Sequence, residues 1–276
     1  MTIQGYNIKA IVSGGIYEFY RYEDTMFRGY ERKPSNSSTD TYYDSEGNIM
    51  MVDGETGELL PKNLTSRARS NIRARNNLRR LALANFGNKS KFLTLTFKEN
   101  MQDIAESNKL FKAFMRKLKN EQKDLKYIAV IEFQDGKRKE NGEGRGAIHY
   151  HLLCNLKFMR AEKIRGYWRS VVGEGNIDIQ RIDHVDNIGA YVIKYMTKEA
   201  ADPRLIGKKM YQTSQGLDKP KEIVGEQAEW LYRRMIEEKR KTVYSSQYEN
   251  KQTANKIFYE EYNLSRKVTT PTAKKE

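Results

Sequence analysis

Cysteine is almost absent from this sequence, since Cys154 is the only one in 276 residues. A single cysteine excludes an internal disulfide and a cysteine-ligated zinc finger, and we expect it to be a small buried apolar residue. No apolar run approaches the length of a membrane span, and the N-terminus lacks the pattern of a signal peptide, so we expect a soluble intracellular protein. A Gly-x-x-x-x-Gly-Lys-Ser/Thr loop is also absent, which excludes a built-in helicase motor.

Acidic residues are outnumbered in the chain and are missing from one long segment. There are 50 Lys and Arg against 36 Asp and Glu, which gives a net charge of +14. An excess of this size favours a polyanionic partner, with nucleic acid as the first candidate and an anionic membrane surface as the second. Between residues 62 and 98 there is no Asp or Glu at all.

The acid-free segment carries a cluster of arginines. Ile72, Leu78 and Leu81 have the spacing of the apolar side of a helix. Arginine neutralises phosphate and gives salt-sensitive binding, so we predict that this helix contacts DNA. The alternative is a solvated basic face. The predicted DNA-binding residues are Arg67, Arg69, Arg73, Arg75, Arg79 and Arg80.

Two of the three histidines lie close together, in the apolar run at residues 147–153. Glycines precede this run, and its composition predicts a β-strand. Residues two apart on a strand share a face, so His149 and His151 project side by side, with Ile148, Tyr150 and Leu152 on the other face. Neutral imidazole is the commonest nitrogen ligand, which makes the pair a candidate metal site. The alternative is two unliganded strand histidines.

About forty residues downstream, the unit Tyr-x-x-Lys occurs twice in succession. We predict a helix here, capped by Asp186 or Asn187, on which the two tyrosines share a face and the lysines lie beside them. Because the ordinary tyrosine pKa is about 10, a tyrosine nucleophile needs a nearby cation or metal. The alternative is an amphipathic helix that faces solvent and nucleic acid. The candidate catalytic residues are Tyr191, Lys194, Tyr195 and Lys198.

Together the two motifs resemble the HUH endonucleases, in which His-hydrophobic-His is followed by a catalytic tyrosine. Within that superfamily the chain is similar to the two-tyrosine rolling-circle replication initiators of the phage gene A type, which carry a Tyr-Val-x-Lys-Tyr-x-x-Lys helix. The strand at residues 91–97 is similar to the one that opens the catalytic domain of this family. The resemblance covers roughly residues 88–200.

The resemblance implies a divalent metal, Mg²⁺ or Mn²⁺, held by the two histidines and a third ligand on the adjoining strand. Glu132 ends the predicted strand before the histidine strand, and it is our choice for this ligand. Gln134 is an alternative, and Glu143, in the loop between the strands, is a weaker one. His184 lies apart from the pair, and we expect it to be a surface or capping residue.

The resemblance also implies a reaction and its partners. A tyrosine hydroxyl attacks a phosphate of single-stranded or hairpin origin DNA, leaving a 5′-phosphotyrosyl bond and a free 3′-OH, while the lysines favour phenolate or neutralise phosphate. A host helicase and a DNA polymerase complete replication in the cytoplasm of a bacterial host. The alternatives are a relaxase or transposase with the same chemistry and, outside enzymes, a basic nucleic-acid-binding regulator.

The order of predicted elements indicates an α+β fold, with a central antiparallel sheet and helices on one face. Strands are predicted at 92–97, 127–134, 147–156 and 176–182, and helices at 103–120 and 161–172, followed by the tyrosine helix. We divide the chain into an N-terminal extension with the basic helix (1–87), an endonuclease domain (88–205) and a helical C-terminal extension (206–276). That extension has a helix at 227–241, another around Phe258, Tyr259 and Tyr262, and a disordered tail from Arg266.

Overall fold

The computed structural model describes residues 3–29, 42–43, 49–52, 59–135, 146–197, 203–205, 208–209, 211–250 and 253–266. The helices are α1 (Lys62–Asn85), α2 (Ile104–Glu121), α3 (Ala161–Val172), α4 (Ile188–Thr197) and α5 (Glu226–Glu237), with a 3₁₀ turn at Pro203–Leu205. The strands are β1 (Gln4–Ser13), β2 (Ile16–Arg28), β3 (Tyr42–Tyr43), β4 (Ile49–Val52), β5 (Leu59–Pro61), β6 (Lys91–Phe97), β7 (Tyr127–Phe133), β8 (Ile148–Cys154), β9 (Gly175–Arg181), β10 (Tyr211–Thr213), β11 (Lys221–Val224), β12 (Thr242–Glu249) and β13 (Lys256–Asn263).

The chain divides into two compact units. The central unit spans Val52–Asp218, and the terminal unit combines Met1–Met51 with Lys219–Glu276. No helix in the described part of the chain has both the length and the apolar character that a membrane span requires.

The central unit is built on a five-stranded sheet in the order β10-β7-β8-β6-β9. Every neighbouring pair in this sheet is antiparallel. The α+β class and the antiparallel sheet are therefore confirmed, and the histidine strand β8 lies at its centre. The predicted strands and helices of this region correspond to β6–β9 and α2–α4, because their apolar periods of two and 3.6 residues are unambiguous.

Helices cover both faces of this sheet, whereas the sequence predicted helices on one face. Leu95 and Tyr150 belong to a buried cluster with α2 and α3. Phe92 and Leu153 belong to a second cluster with α1 and α4 on the opposite face. The physical reason is that most residues of β7 and β8 are buried, which is the pattern of strands covered on both sides.

The tyrosine helix α4 approaches α1 most closely at Gly189. A Cβ atom placed there would lie 2.6 Å from the backbone oxygen of Arg79 and 2.9 Å from Cγ of Leu83. Backbone cannot move aside as a flexible side chain can, so only glycine allows α4 to lie this close to α1.

We expect Gly189→Ala to destabilise the central unit by about 1–3 kcal/mol, because the added methyl group forces the two helices apart. Gly166→Ala in α3 is the matched control, since nothing lies within 4 Å of a Cβ at that site. Alanine there should stabilise the helix by about 0.5–1 kcal/mol. The measurement is urea unfolding followed by Trp168 fluorescence in a Trp230→Phe background, where Trp168 is the one remaining tryptophan. Equal midpoints for the two variants would contradict the close contact.

The terminal unit contains a second antiparallel sheet, in the order β11-β1-β2-β13-β12, on which α5 packs. Ala10 and Phe19 share a buried cluster with Ala228 and Met235 of α5. This helix confirms the prediction at 227–241. The helix predicted around Phe258 is wrong, because that segment is strand β13, paired between β2 and β12.

The C-terminal extension is therefore helical only in part. The spacing of Phe258, Tyr259 and Tyr262 fits one side of a helix, but the same aromatic residues also favour a strand. Long-range pairing decided between the two. The tail predicted to be disordered lies, from residue 267 onward, outside the described residues.

Candidate functional site

The two strand histidines lie on the sheet face that α4 covers. His149 is directly opposite Glu132 on β7 and Thr96 on β6, and His151 is directly opposite Thr94. Directly paired residues share a face in an antiparallel sheet. The predicted face is therefore confirmed, and Glu132 belongs to it.

The ring of His151 is fixed by contacts at both nitrogens. Its Nε2 lies 2.6 Å from Oε2 of Glu132, and its Nδ1 lies 3.2 Å from Oγ1 of Thr94. The His151 side chain is only 7% exposed and that of Glu132 is 18% exposed. Because both contacts are sheltered from water, they hold the imidazole in one orientation.

Both tyrosines of the repeated unit pack over the histidine strand. The Tyr195 ring stacks on the His151 ring, with centroids 3.9 Å apart. Tyr191 meets Phe92 edge to face at 4.9 Å, and the Tyr191 and Tyr195 ring centroids are 6.1 Å apart. The four-residue spacing thus brings two hydroxyl-bearing rings to one site, with Tyr195 stacked directly on a histidine.

The start of α4 and one of its lysines are also in the predicted positions. Oδ1 of Asn187 accepts a hydrogen bond from the backbone N of Ala190 at 2.9 Å, which is the contact of a helix N-cap. Nζ of Lys194 lies 4.2 Å from the ring centroid of Tyr191 and 4.7 Å from that of Tyr195. Lys198 lies outside the described residues.

The surroundings of the tyrosines keep their hydroxyls neutral. Burial raises the pKa of Tyr191, the hydrogen bond with Tyr195 raises it further, and the charge of Lys194 opposes this. Burial also raises the pKa of Tyr195, to which the charges of Glu132 and Asp178 add. Lys194 therefore acts in the predicted direction on Tyr191 but does not outweigh burial, so phenolate formation needs a further positive charge.

The donor types at this face fit a divalent ion. Two imidazoles and a carboxylate are common ligands of transition metals, and the carboxylate also suits Mg²⁺ and Mn²⁺. The His149 and His151 ring centroids are 6.4 Å apart, and Glu132 contacts His151 directly. Within the described ranges, no three His, Cys, Asp or Glu side chains are grouped so as to hold a metal ion. The His151–Glu132 contact has to open before both can act as ligands.

The structure adds two polar residues that sequence reasoning missed. Nε2 of Gln180 donates to Oδ2 of Asp178 at 2.7 Å, and the Tyr191 hydroxyl donates to Oε1 of Gln180 at 3.4 Å. Asp178 is opposite Thr94 on β6, on the histidine face. The alternation of polar residues in the predicted strand 176–182 was a signal, but nothing in the sequence indicated which strand lies beside β6.

The remaining candidates separate clearly. His184 is at the surface, with its side chain 75% exposed, as predicted. Cys154 is buried as predicted, and burial raises the pKa of its thiol to about 11, so it is not a nucleophile. Gln134 follows the end of β7, and Glu143 lies outside the described residues.

The predicted basic helix is α1. Leu78 is buried against the cluster that includes α4, and Leu81 packs partly against it. Ile72, which we also placed on the apolar side, is instead 56% exposed, because it lies two turns before the packed part of the helix. Of the predicted DNA-binding residues, Arg73 is exposed and three are half-buried: Arg75, Arg79 and Arg80. The side chains of Arg67 and Arg69 lie outside the described set.

Residues 90–200 match the model of a family of replication-associated proteins, described by its member ORF2. This segment contains β6 to α4 and therefore every described residue of the histidine–tyrosine site. The match supports a replication initiator of the Rep type. No curated protein matches the chain. The hypothetical protein ORF119 from Sulfolobus islandicus rod-shaped virus 1 has a crystal structure that aligns with 46% of this chain and 94% of its own, at 19% identity and a TM-score of 0.31. A TM-score this low does not establish a shared fold.

Proposed function

We propose that this protein initiates rolling-circle replication by nicking and rejoining single-stranded DNA through a 5′-phosphotyrosyl intermediate. The observation that carries the proposal is the stacking of Tyr195 on His151, with Tyr191 beside it. A potential nucleophile, two imidazoles and a carboxylate share one face of a rigid sheet. The family match over the same residues supports a role in replication.

The proposed reaction exchanges one phosphate ester for another. The oxygen of a tyrosine hydroxyl attacks phosphorus in line, the bond from phosphorus to the 3′ oxygen breaks, and the proton lost by tyrosine is balanced by the one gained by the 3′-OH. The product is a 5′-phosphotyrosyl ester, which keeps the energy of the phosphodiester bond. The free 3′-OH can therefore serve as a primer or attack the ester to rejoin the strand.

In this chain His149, His151 and Glu132 would hold Mg²⁺ or Mn²⁺, with Gln134 as the alternative to Glu132. The ion supplies Lewis-acid polarisation of a non-bridging phosphate oxygen. The protein residues orient and neutralise. Thr94, at Nδ1 of His151, keeps the imidazole in position, which is the usual effect of an outer hydrogen bond on a metal ligand.

The two tyrosines occupy different surroundings, which suits two different steps. Tyr195 is stacked on His151, whereas Tyr191 is hydrogen-bonded to Gln180 at the β9 edge. One tyrosine can hold the DNA end while the other cuts after a round of synthesis. Lys194 lies over both rings and would neutralise phosphate in either step, a role that we also propose for Lys198.

The proposed partners follow from the chemistry. The substrate is single-stranded or hairpin origin DNA, and a host helicase and DNA polymerase would open and copy the strand in the bacterial cytoplasm. A relaxase or transposase would form the same adduct but act on a transfer or element end. A basic nucleic-acid-binding regulator would bind without metal and form no adduct.

The test is covalent capture. The protein is incubated with Mn²⁺ and a library of single-stranded origin oligonucleotides, and the products are separated on a denaturing gel. We expect a protein–DNA adduct that survives denaturation, together with a released fragment ending in 3′-OH. Sequencing the captured DNA identifies the origin. Binding without any adduct across the library would favour the regulator.

We expect the arginines of α1 to set the salt dependence of DNA binding. Replacing Arg73, Arg75, Arg79 and Arg80 with alanine should lower the slope of log affinity against log salt by about 0.9 for each lost duplex phosphate contact. Cleavage of a short single strand at saturation should survive. The matched control replaces the same four with lysine, which keeps the charge and should keep the slope. A slope unchanged by alanine would assign these residues to a solvated face.

A further inference from the structure

A second basic surface lies on the opposite side of the central sheet from the histidines. Four exposed basic residues of α2 have the spacing 3-4-3, which places them on one side of the helix over about 15 Å. These residues are Lys109, Lys112, Arg116 and Lys119. One of them is already engaged, since Lys109 pairs with Glu106 at 3.4 Å. α2 itself packs on the Leu95 and Tyr150 face of the sheet.

This stripe borders a groove between α2 and the edge strand β10. The groove consists of two adjoining cavities of about 940 and 530 Å³ that share Ala105, Asn108, Lys112 and Thr213 in their walls. Lys208 and Lys209 line the first cavity from the side of β10. No acidic residue is among the described residues that line either cavity. A described lining that holds six cations and no carboxylate favours an anionic occupant.

The uncharged part of the lining indicates what kind of polyanion fits. Amide side chains of Gln212 and Gln215 face the groove, and such groups can hydrogen-bond base edges. Tyr211 lines one cavity and Tyr127 the other, and both are half-buried. Tyrosine rings provide stacking surfaces for unpaired bases, and cations follow the backbone of a single strand.

We propose that this α2–β10 groove binds a segment of single-stranded DNA remote from the histidine–tyrosine site. A duplex presents paired, stacked bases and cannot offer them to amides and tyrosines inside a groove, whereas a single strand can. The groove lies at the β10 edge, and β7 separates this strand from the histidine strand. It would hold the strand that leaves or approaches the reaction, and its binding does not require cleavage.

The test measures binding by the full chain in EDTA, so that cleavage plays no part. The probe is a fluorescent oligothymidine of about 20 nucleotides, with a duplex of equal length as the second probe. The variant combines Lys112→Ala, Arg116→Ala and Lys119→Ala. The charge-matched control combines Lys117→Ala, Lys157→Ala and Arg160→Ala, which are exposed residues of the central unit outside the groove.

We expect the groove variant to lower the salt slope for the single strand by about 0.7 per lost contact, or about 2 in total. At 0.1 M salt this corresponds to an affinity loss on the order of 100-fold. Iodouracil-substituted DNA should crosslink to peptides that contain Tyr127 or Tyr211. Covalent adducts at Tyr191 and Tyr195, measured separately with metal and saturating DNA, should persist, so the two proposals fail independently.

Two results would overturn this proposal. Equal losses in the groove variant and its control would show that only net charge matters. An equal or larger loss for the duplex probe than for the single strand would assign the surface to duplex DNA instead.

Discussion

The double variant Tyr191→Phe, Tyr195→Phe forms no covalent adduct with single-stranded DNA, while each single variant retains some cleavage. This is the largest effect that we expect. Phenylalanine keeps the ring packing on His151 and Phe92 and removes only the nucleophilic oxygen. Adduct formation should therefore fall below detection in the double variant without loss of folding or of DNA binding.

The single variants should differ in the paired reaction. Each leaves one hydroxyl near the metal ligands, so single-strand cleavage continues, but joining of one cut end to another is impaired. Tyr167→Phe is the matched control, because this tyrosine is on α3, which packs on the other face of the sheet, and its hydroxyl contacts Glu121. Cleavage by this control should be unchanged.

Peptide mapping of the trapped adduct decides the assignment. We expect DNA on both Tyr191 and Tyr195. DNA on another residue would refute the proposed site, and DNA on one tyrosine alone would make this a single-tyrosine enzyme.

The second large effect is on the metal ligands. His149→Ala and His151→Ala should each reduce cleavage by about 10²–10³-fold or more, because the polarising ion is lost from the scissile phosphate. Binding to duplex DNA should remain nearly intact, because these side chains are covered by α4 and do not contact a duplex. Glu132→Ala should lose much of the activity and recover part of it at higher metal concentration.

The matched control for the metal ligands is His184→Ala, which removes an exposed imidazole and should leave cleavage unchanged. Cleavage is measured in a titration of Mn²⁺ and Mg²⁺ and again in EDTA. Full cleavage by the unaltered protein in EDTA would contradict a metal-dependent reaction, whatever the variants do.

The sequence by itself determined the elements of the central unit and the residue types of the site. The strands β6 to β9 and the helices α2 and α3 follow from apolar periods of two and 3.6 residues, which are local properties of the chain. The common face of His149 and His151 follows from strand geometry, and the common face of Tyr191 and Tyr195 from helix geometry. A short segment is enough to fix each of these relations.

Only the tertiary structure decided which segments meet. It placed Glu132 at 2.6 Å from His151, stacked Tyr195 on the same ring, and brought Asp178 and Gln180 to the tyrosines. It also covered both faces of the sheet and made residues 256–263 a strand. The physical reason is that strand order and register depend on pairings between residues far apart in the chain, and these are selected by the packing of the whole sheet.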